Sequence, residues 1–191
     1  MRYAIFAVAL AIPLLSHAQE KADQPTAPAT KLEAFSARTG TVVIKGYSAL
    51  GSVSGGLGSV SIDVREFRDG HNPKSVQYGV AFEVKESGRL ERENTSFIDE
   101  DEIDSLIRGS DYISKIGSNV TPFKEFEAHY KTKGDLSLIV FSGRGGETSF
   151  AVTSGRIGKT RAFLKLADIE RIRSLLDEAK NQIASAKAKN K

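Results

Sequence analysis

The sequence predicts an α+β protein built as tandem ββββα repeats: two antiparallel four-stranded sheets, each with an amphipathic helix. Three observations carry this. The apolar pattern alternates with a period of two up to residue 98, then takes helical spacing from Ile103, and the same change recurs between Phe126 and Ile183. Phe82-Glu83-Val84-Lys85-Glu86-Ser87-Gly88-Arg89-Leu90 matches Phe150-Ala151-Val152-Thr153-Ser154-Gly155-Arg156-Ile157 with one residue removed. Glu102-Ile103-Asp104-Ser105-Leu106-Ile107 matches Arg171-Ile172-Arg173-Ser174-Leu175-Leu176. Both matches fall at the same place in the plan, a hairpin and strand leading to an amphipathic helix.

The elements follow in order. Met1, Arg2 and Tyr3 make a short positive start, Ala4 to Leu15 is an apolar run, and Ser16-His17-Ala18 supplies small residues for cleavage after Ala18. Residues 1–18 therefore read as a cleavable signal peptide. As a helix, an apolar run of this length reaches only ~18 Å, against a hydrocarbon core of ~30 Å, which argues against an anchor. No later segment is long and apolar enough to span a bilayer. Residues 19–38 contain Gln24-Pro25-Thr26-Ala27-Pro28 and lack hydrophobic period, so a disordered leader is expected.

The first repeat is placed at 39–118. Thr41 to Ala49 is β-rich, and Val60, Ile62 and Val64 alternate with polar residues. Asp69-Gly70 and Asn72-Pro73 mark a turn. Val76, Tyr78, Val80, Phe82 and Val84 form the clearest strand, with one buried and one wetter face. Ser87-Gly88-Arg89 turns the chain into a fourth strand at 92–98. Ile103, Leu106, Ile107, Ile113 and Ile116 share one helix face, with Asp99 as N-cap, Glu102 in capping-box position, and Gly117 as the stop.

The second repeat is placed at 119–187. Phe126, Ala128 and Tyr130 alternate with Glu127, His129 and Lys131. Turns at Lys133-Gly134-Asp135, Arg144-Gly145-Gly146 and Ser154-Gly155-Arg156 separate the next three strands. A final helix carries Ile169, Ile172, Leu175, Leu176, Ala179 and Ile183 on one face. The polar residues 188–191 are expected to be a frayed tail. A single such sheet with one helix leaves apolar surface half covered, so the two repeats are expected to pack together.

Composition narrows the function. The 191 residues carry 27 Lys+Arg, 24 Asp+Glu and no cysteine. Without cysteine there is no disulfide, no thiol nucleophile and no thiolate metal site. A net charge of +3 is too small an excess to predict nucleic-acid binding.

No motif supplies chemistry. Gly155-Arg156-Ile157-Gly158-Lys159-Thr160 ends like a phosphate loop, but Thr153 stands where the pattern needs glycine and a strand follows instead of a helix. The acids Asp99, Glu100, Asp101, Glu102 and Asp104 lack the spacing and glycine of a calcium loop and fit the positive end of a helix. His71 and His129 have no H-E-x-x-H or nucleophile-elbow context. No catalytic, cofactor-binding or metal-ligating residue is assigned, and no cofactor is expected.

The glycine-serine stretch is the most unusual segment. Gly51, Ser52, Ser54, Gly55, Gly56 and Gly58 read as a long hairpin loop, and as a mobile binding loop if the segment is functional. The expectation is an exported, periplasmic or extracellular, non-enzymatic module that binds an unknown protein or envelope component. Alternatives are a small-ligand carrier with a cavity between sheet and helix, and an enzyme without a recognisable motif. The ββββα order is also similar to whirly and PUR-type modules, which bind single-stranded nucleic acid. That resemblance implies exposed aromatic side chains on a basic sheet face.

Overall fold

The structure, a computed structural model, describes residues 27–143 and 145–190. The expected signal peptide and the first part of the expected leader lie outside the described residues. The first sheet has the order β1(Val43–Gly55), β2(Gly58–Asp69), β3(Val76–Glu86) and β4(Arg92–Asp99). A short 3-10 turn at Glu100–Glu102 leads into a helix, Ile103–Ser114. The second sheet runs β5(Glu127–Lys131), β6(Ser137–Ser142), β7(Thr148–Ser154) and β8(Thr160–Leu164). A long helix, Asp168–Lys189, closes the chain. All pairings are antiparallel between sequence neighbours. This is the tandem ββββα layout that the periodicity predicts.

The expected leader is corrected at its end. A helix, α1(Lys31–Ser36), stands where disorder is expected. A capping box starts it: Thr30 Oγ1 accepts from Glu33 N, and the Glu33 carboxylate accepts from Thr30 N. Its Leu32 and Phe35 pack with Phe67 on the outer face of the first sheet. The two later helices are therefore α2(Ile103–Ser114) and α3(Asp168–Lys189). Within the described part of the expected tail, 188–190, α3 continues to Lys189, tied by Lys187 Nζ to Glu100 at 2.8 Å and by Asn190 Nδ2 to the Tyr78 hydroxyl at 2.8 Å.

The duplicated residues occupy equivalent places. Phe82 on β3 and Phe150 on β7 are both fully buried, as are Leu106 on α2 and Leu175 on α3. Each sheet is followed in sequence by its helix, but the cover is exchanged. α3 lies against β1, β2 and β3 of the first sheet, and α2 lies against β5 and β6 of the second. Gly109 makes this possible on α2, because a methyl group there would run into the Tyr130 ring on β5.

One core results. Val60, Ile62, Val80 and Phe82 of the first sheet share a buried cluster with Leu138, Val140, Phe150 and Val152 of the second. Leu106 from α2 and Ile172, Leu175 and Leu176 from α3 complete it. The sheets also meet directly, where Ser96 Oγ and Ser154 Oγ lie 2.8 Å apart in a buried hydrogen bond between β4 and β7.

Candidate interaction surface

The glycine-serine stretch is not a loop. Gly51, Ser52, Ser54 and Gly55 belong to β1, Gly58 begins β2, and only Gly56 and Leu57 turn between them. The register runs unbroken from Gly51↔Ile62 to Gly55↔Gly58, with Leu50 as an extra, bulged residue before it. Val53 and Val60 face the core, while Ser52 and Ser54 face out. Gly55 and Gly58 serve packing: a methyl group on Gly55 would collide with the Phe163 carbonyl of β8, and one on Gly58 with the Lys85 carbonyl. The hairpin tip is thereby a contact between the two sheets.

The acidic run is likewise built into the fold. Asp99 makes no side-chain cap on the turn that follows it. Its carboxylate instead accepts from Lys31 N at 2.9 Å and Leu32 N at 3.3 Å, holding the start of α1. Glu102 accepts from Lys133 N at 2.9 Å, across to the second sheet. Lys31 pairs with Asp101 at 2.9 Å, and Lys180 of α3 pairs with Asp104. Hydrogen bonding to Lys31 holds the Asp101 carboxyl below its ordinary range, and hydrogen bonding to Lys180 does the same for Asp104.

A carboxylate with a depressed folded-state pKa stabilises above its unfolded value, and that contribution is lost as pH falls through the folded value. Thermal stability is therefore expected to decline on acidification through and below the ordinary carboxylate range. Because these pairs are solvent-exposed, salt at neutral pH should produce only a small loss. A melting curve that stays flat over that acid range would contradict the assignment.

The remaining candidates bring no reactive groups together. His71 sits in the turn after β2, where its backbone N–H donates to Asp69. His129 pairs with Glu127 on its own strand, exposed to solvent. Gly155 to Gly158 form the turn between β7 and β8. Among the described residues no group of three or more His, Asp or Glu is placed to hold a metal ion. Among them, too, no helix is long and apolar enough to cross a membrane.

The concave and flat surfaces differ in what they offer. A cleft of about 420 Å³ lies between α1 and the Gly134–Asp135 and Gly155–Ile157 turns. Its charged groups already have partners: Arg156 and Lys131 both pair with Asp135, at 2.7 and 2.8 Å, and the Glu33 carboxylate accepts from Ala29 N and Thr30 N. The outer face of the first sheet carries Tyr47 beside Arg65, and Lys45 over Phe67. There Arg65 pairs with Asp63 at 2.7 Å, and Lys85 pairs with Glu83 and Glu93. The aromatic groups are present, but Arg65 and Lys85 are neutralised by carboxylates on the same face, and Lys45 donates to the Ser36 hydroxyl.

The unfinished part of the molecule is β1. It is an edge strand of 13 residues with a single charge, Lys45, and no proline. The six residues from Ile44 to Ala49 are all exposed. Strand side chains alternate between faces, so this segment is open on both faces as well as along its edge. Tyr47 is 74% exposed and Ile44 52% exposed. On the α3 side, Gly46 and Ser48 leave a groove of about 200 Å³ against Val64, Glu66, Tyr78, Gln182 and Ala186. Soluble proteins usually blunt such an edge with charges, proline or a covering element.

The fold and this edge define a class: a cysteine-free α+β protein with two sheet-helix repeats that share one core, with β1 as a long exposed edge. No family model matches the chain, and no curated protein and no solved structure matches it either. The likeness to whirly and PUR-type modules is therefore one of element order.

Proposed function

We propose that this protein is an exported, non-enzymatic interaction module that engages a protein partner by strand addition along β1. The observation that carries the reading is the exposure of Ile44–Ala49 on both faces of an edge strand. Backbone N–H and C=O groups along such an edge supply affinity, and the alternate side chains supply selectivity. Export is supported by the charged start, apolar run and Ser16-His17-Ala18 site of residues 1–18. A carrier role gains no support from the space between sheets and helices, which Phe82, Leu106, Phe150 and Leu175 fill.

A photo-crosslinking residue at Tyr47, in the full chain expressed in its native cells, tests the reading. Tyr112 on α2, 69% exposed, is the control position. A protein adduct formed from position 47 and absent from position 112 is the expected result. Adducts from neither position, or equal adducts from both, would overturn it. Recovery of the protein in the cytosol with Met1 intact would overturn the export part.

A further inference from the structure

We infer that the occupant of the β1 edge is a second copy of this chain, joined by antiparallel β1–β1 pairing about a two-fold axis at Gly46. The inference rests on the reading of β1 as an interaction edge and adds the identity of the partner and the register. The pleat restricts the choice. Each side chain must stay on its own face of the extended sheet, so only pairings of residues of like orientation are allowed. A pairing centred on Lys45 sets two ammonium groups directly opposite each other, which is unfavourable.

Centring on Gly46 removes that conflict and fills what is empty. Lys45 then lies opposite Tyr47 of the second copy, and Tyr47 opposite its Lys45. The one charge on the strand thus meets an exposed aromatic ring twice, a cation–π arrangement added to the one each Tyr47 ring makes with its own Arg65. On the α3 side, Ile44 lies opposite Ser48 of the second copy. This brings an exposed aliphatic side chain to the mouth of the groove formed by Gly46, Ser48, Gln182 and Ala186. Val43 lies opposite Ala49, and the bulge at Leu50 ends the ladder. Both copies place α3 on the same side, and the two first sheets become one eight-stranded sheet with β1 no longer at an edge.

Sedimentation velocity of the chain beginning at Gln19, over a concentration series reaching the millimolar range, tests the proposal. The expected result is a monomer–dimer equilibrium. Tyr47→Lys sets two lysines opposite Lys45 and should weaken the dimer by about tenfold or more. Tyr47→Glu sets carboxylates opposite Lys45 and should leave the dimer intact or tighter. Ile44→Glu should weaken it strongly, because it puts a second carboxylate into the groove of the other copy, beside its Glu66. Ile44 and Tyr47 are exposed, so circular dichroism of each variant should match the wild type.

A monomer at all concentrations overturns the proposal. So does a dimer indifferent to Tyr47→Lys, and so does a dimer lost equally in Tyr47→Glu and Tyr47→Lys. A monomer whose position 47 crosslinks to a different protein rejects self-pairing and leaves the interaction-edge reading standing. A monomer with no adduct at position 47 rejects both.

Discussion

Residues 27–118 and 119–190, expressed separately, are each expected to be unfolded, and to fold when mixed in equal amounts. The reason is the exchange of helices. The first fragment contains sheet β1–β4 and α2, but α2 covers the other sheet. Without α3, the core face of Val60, Ile62, Val80 and Phe82 stands in water. Burying such side chains contributes roughly 1.5–3 kcal/mol each. That sum is comparable with the roughly 5–15 kcal/mol by which a whole domain is stable. The second fragment loses α2 from β5 and β6 in the same way. Thermal scans and amide spectra read the outcome: no cooperative transition from either fragment, and a cooperative one from the mixture. A first fragment that melts cooperatively alone would show that α3 is dispensable to its sheet.

Leu175→Ala is expected to destabilise the intact protein by about 2–5 kcal/mol, as for other fully buried leucines. Leu175 has no exposed surface and sits where α3 meets the bulged part of β1, its methyl carbons beside Gly51. The backbone of Gly51 and the rest of the shared core limit how far the site can close around the lost atoms. Ile157→Ala is the matched control: Ile157 is exposed in a turn, and its loss should shift stability by no more than about 0.5 kcal/mol. Urea unfolding midpoints at constant m-value measure both. Equal shifts for the two variants would refute the core assignment of α3.

Much of the fold is legible in the residues because period is a local property. The face of α3 reads correctly residue by residue, from Ile169 to Ile183, and so do the core-facing positions of β3, whereas the wetter face expected there is buried at Gly79 and Ala81, as Ala151 and Thr153 are on β7. Five features escape for identifiable reasons. α1 is six residues long inside a proline-bearing leader, too short for periodicity to register. Its sequence signals were nevertheless present, in Thr30-x-x-Glu33 and in Leu32 and Phe35. Asp99 and Glu102 fit a local cap, yet their carboxylates bond α1 and the start of the β5–β6 turn, contacts that no local pattern encodes.

The glycine-serine stretch has loop composition, but its small side chains answer to β8 pressing on the hairpin tip. The exchange of helices is hidden for a related reason. Spacing shows which residues of α2 and α3 turn inward, and is silent on which sheet receives them. The candidate site was the least legible part. Exposure of Ile44–Ala49 depends on where α3 and α1 stop short of β1, a matter of tertiary geometry. The cues in the sequence were a long strand with one charge and no proline.

The exchange also sets an order of events for the growing chain. The first sheet is complete in sequence by Asp99, but the helix that seals it begins at Asp168, and its last ties join Lys187 to Glu100 and Asn190 to Tyr78. The chain through Lys187 must therefore leave the ribosome before the first sheet can be sealed. Until then the early strands are held open by the absence of their lid, and the barrier to folding includes closing a long loop. The sealing of the first sheet is thereby tied to the arrival of the second repeat, and the two halves are expected to fold in one cooperative step.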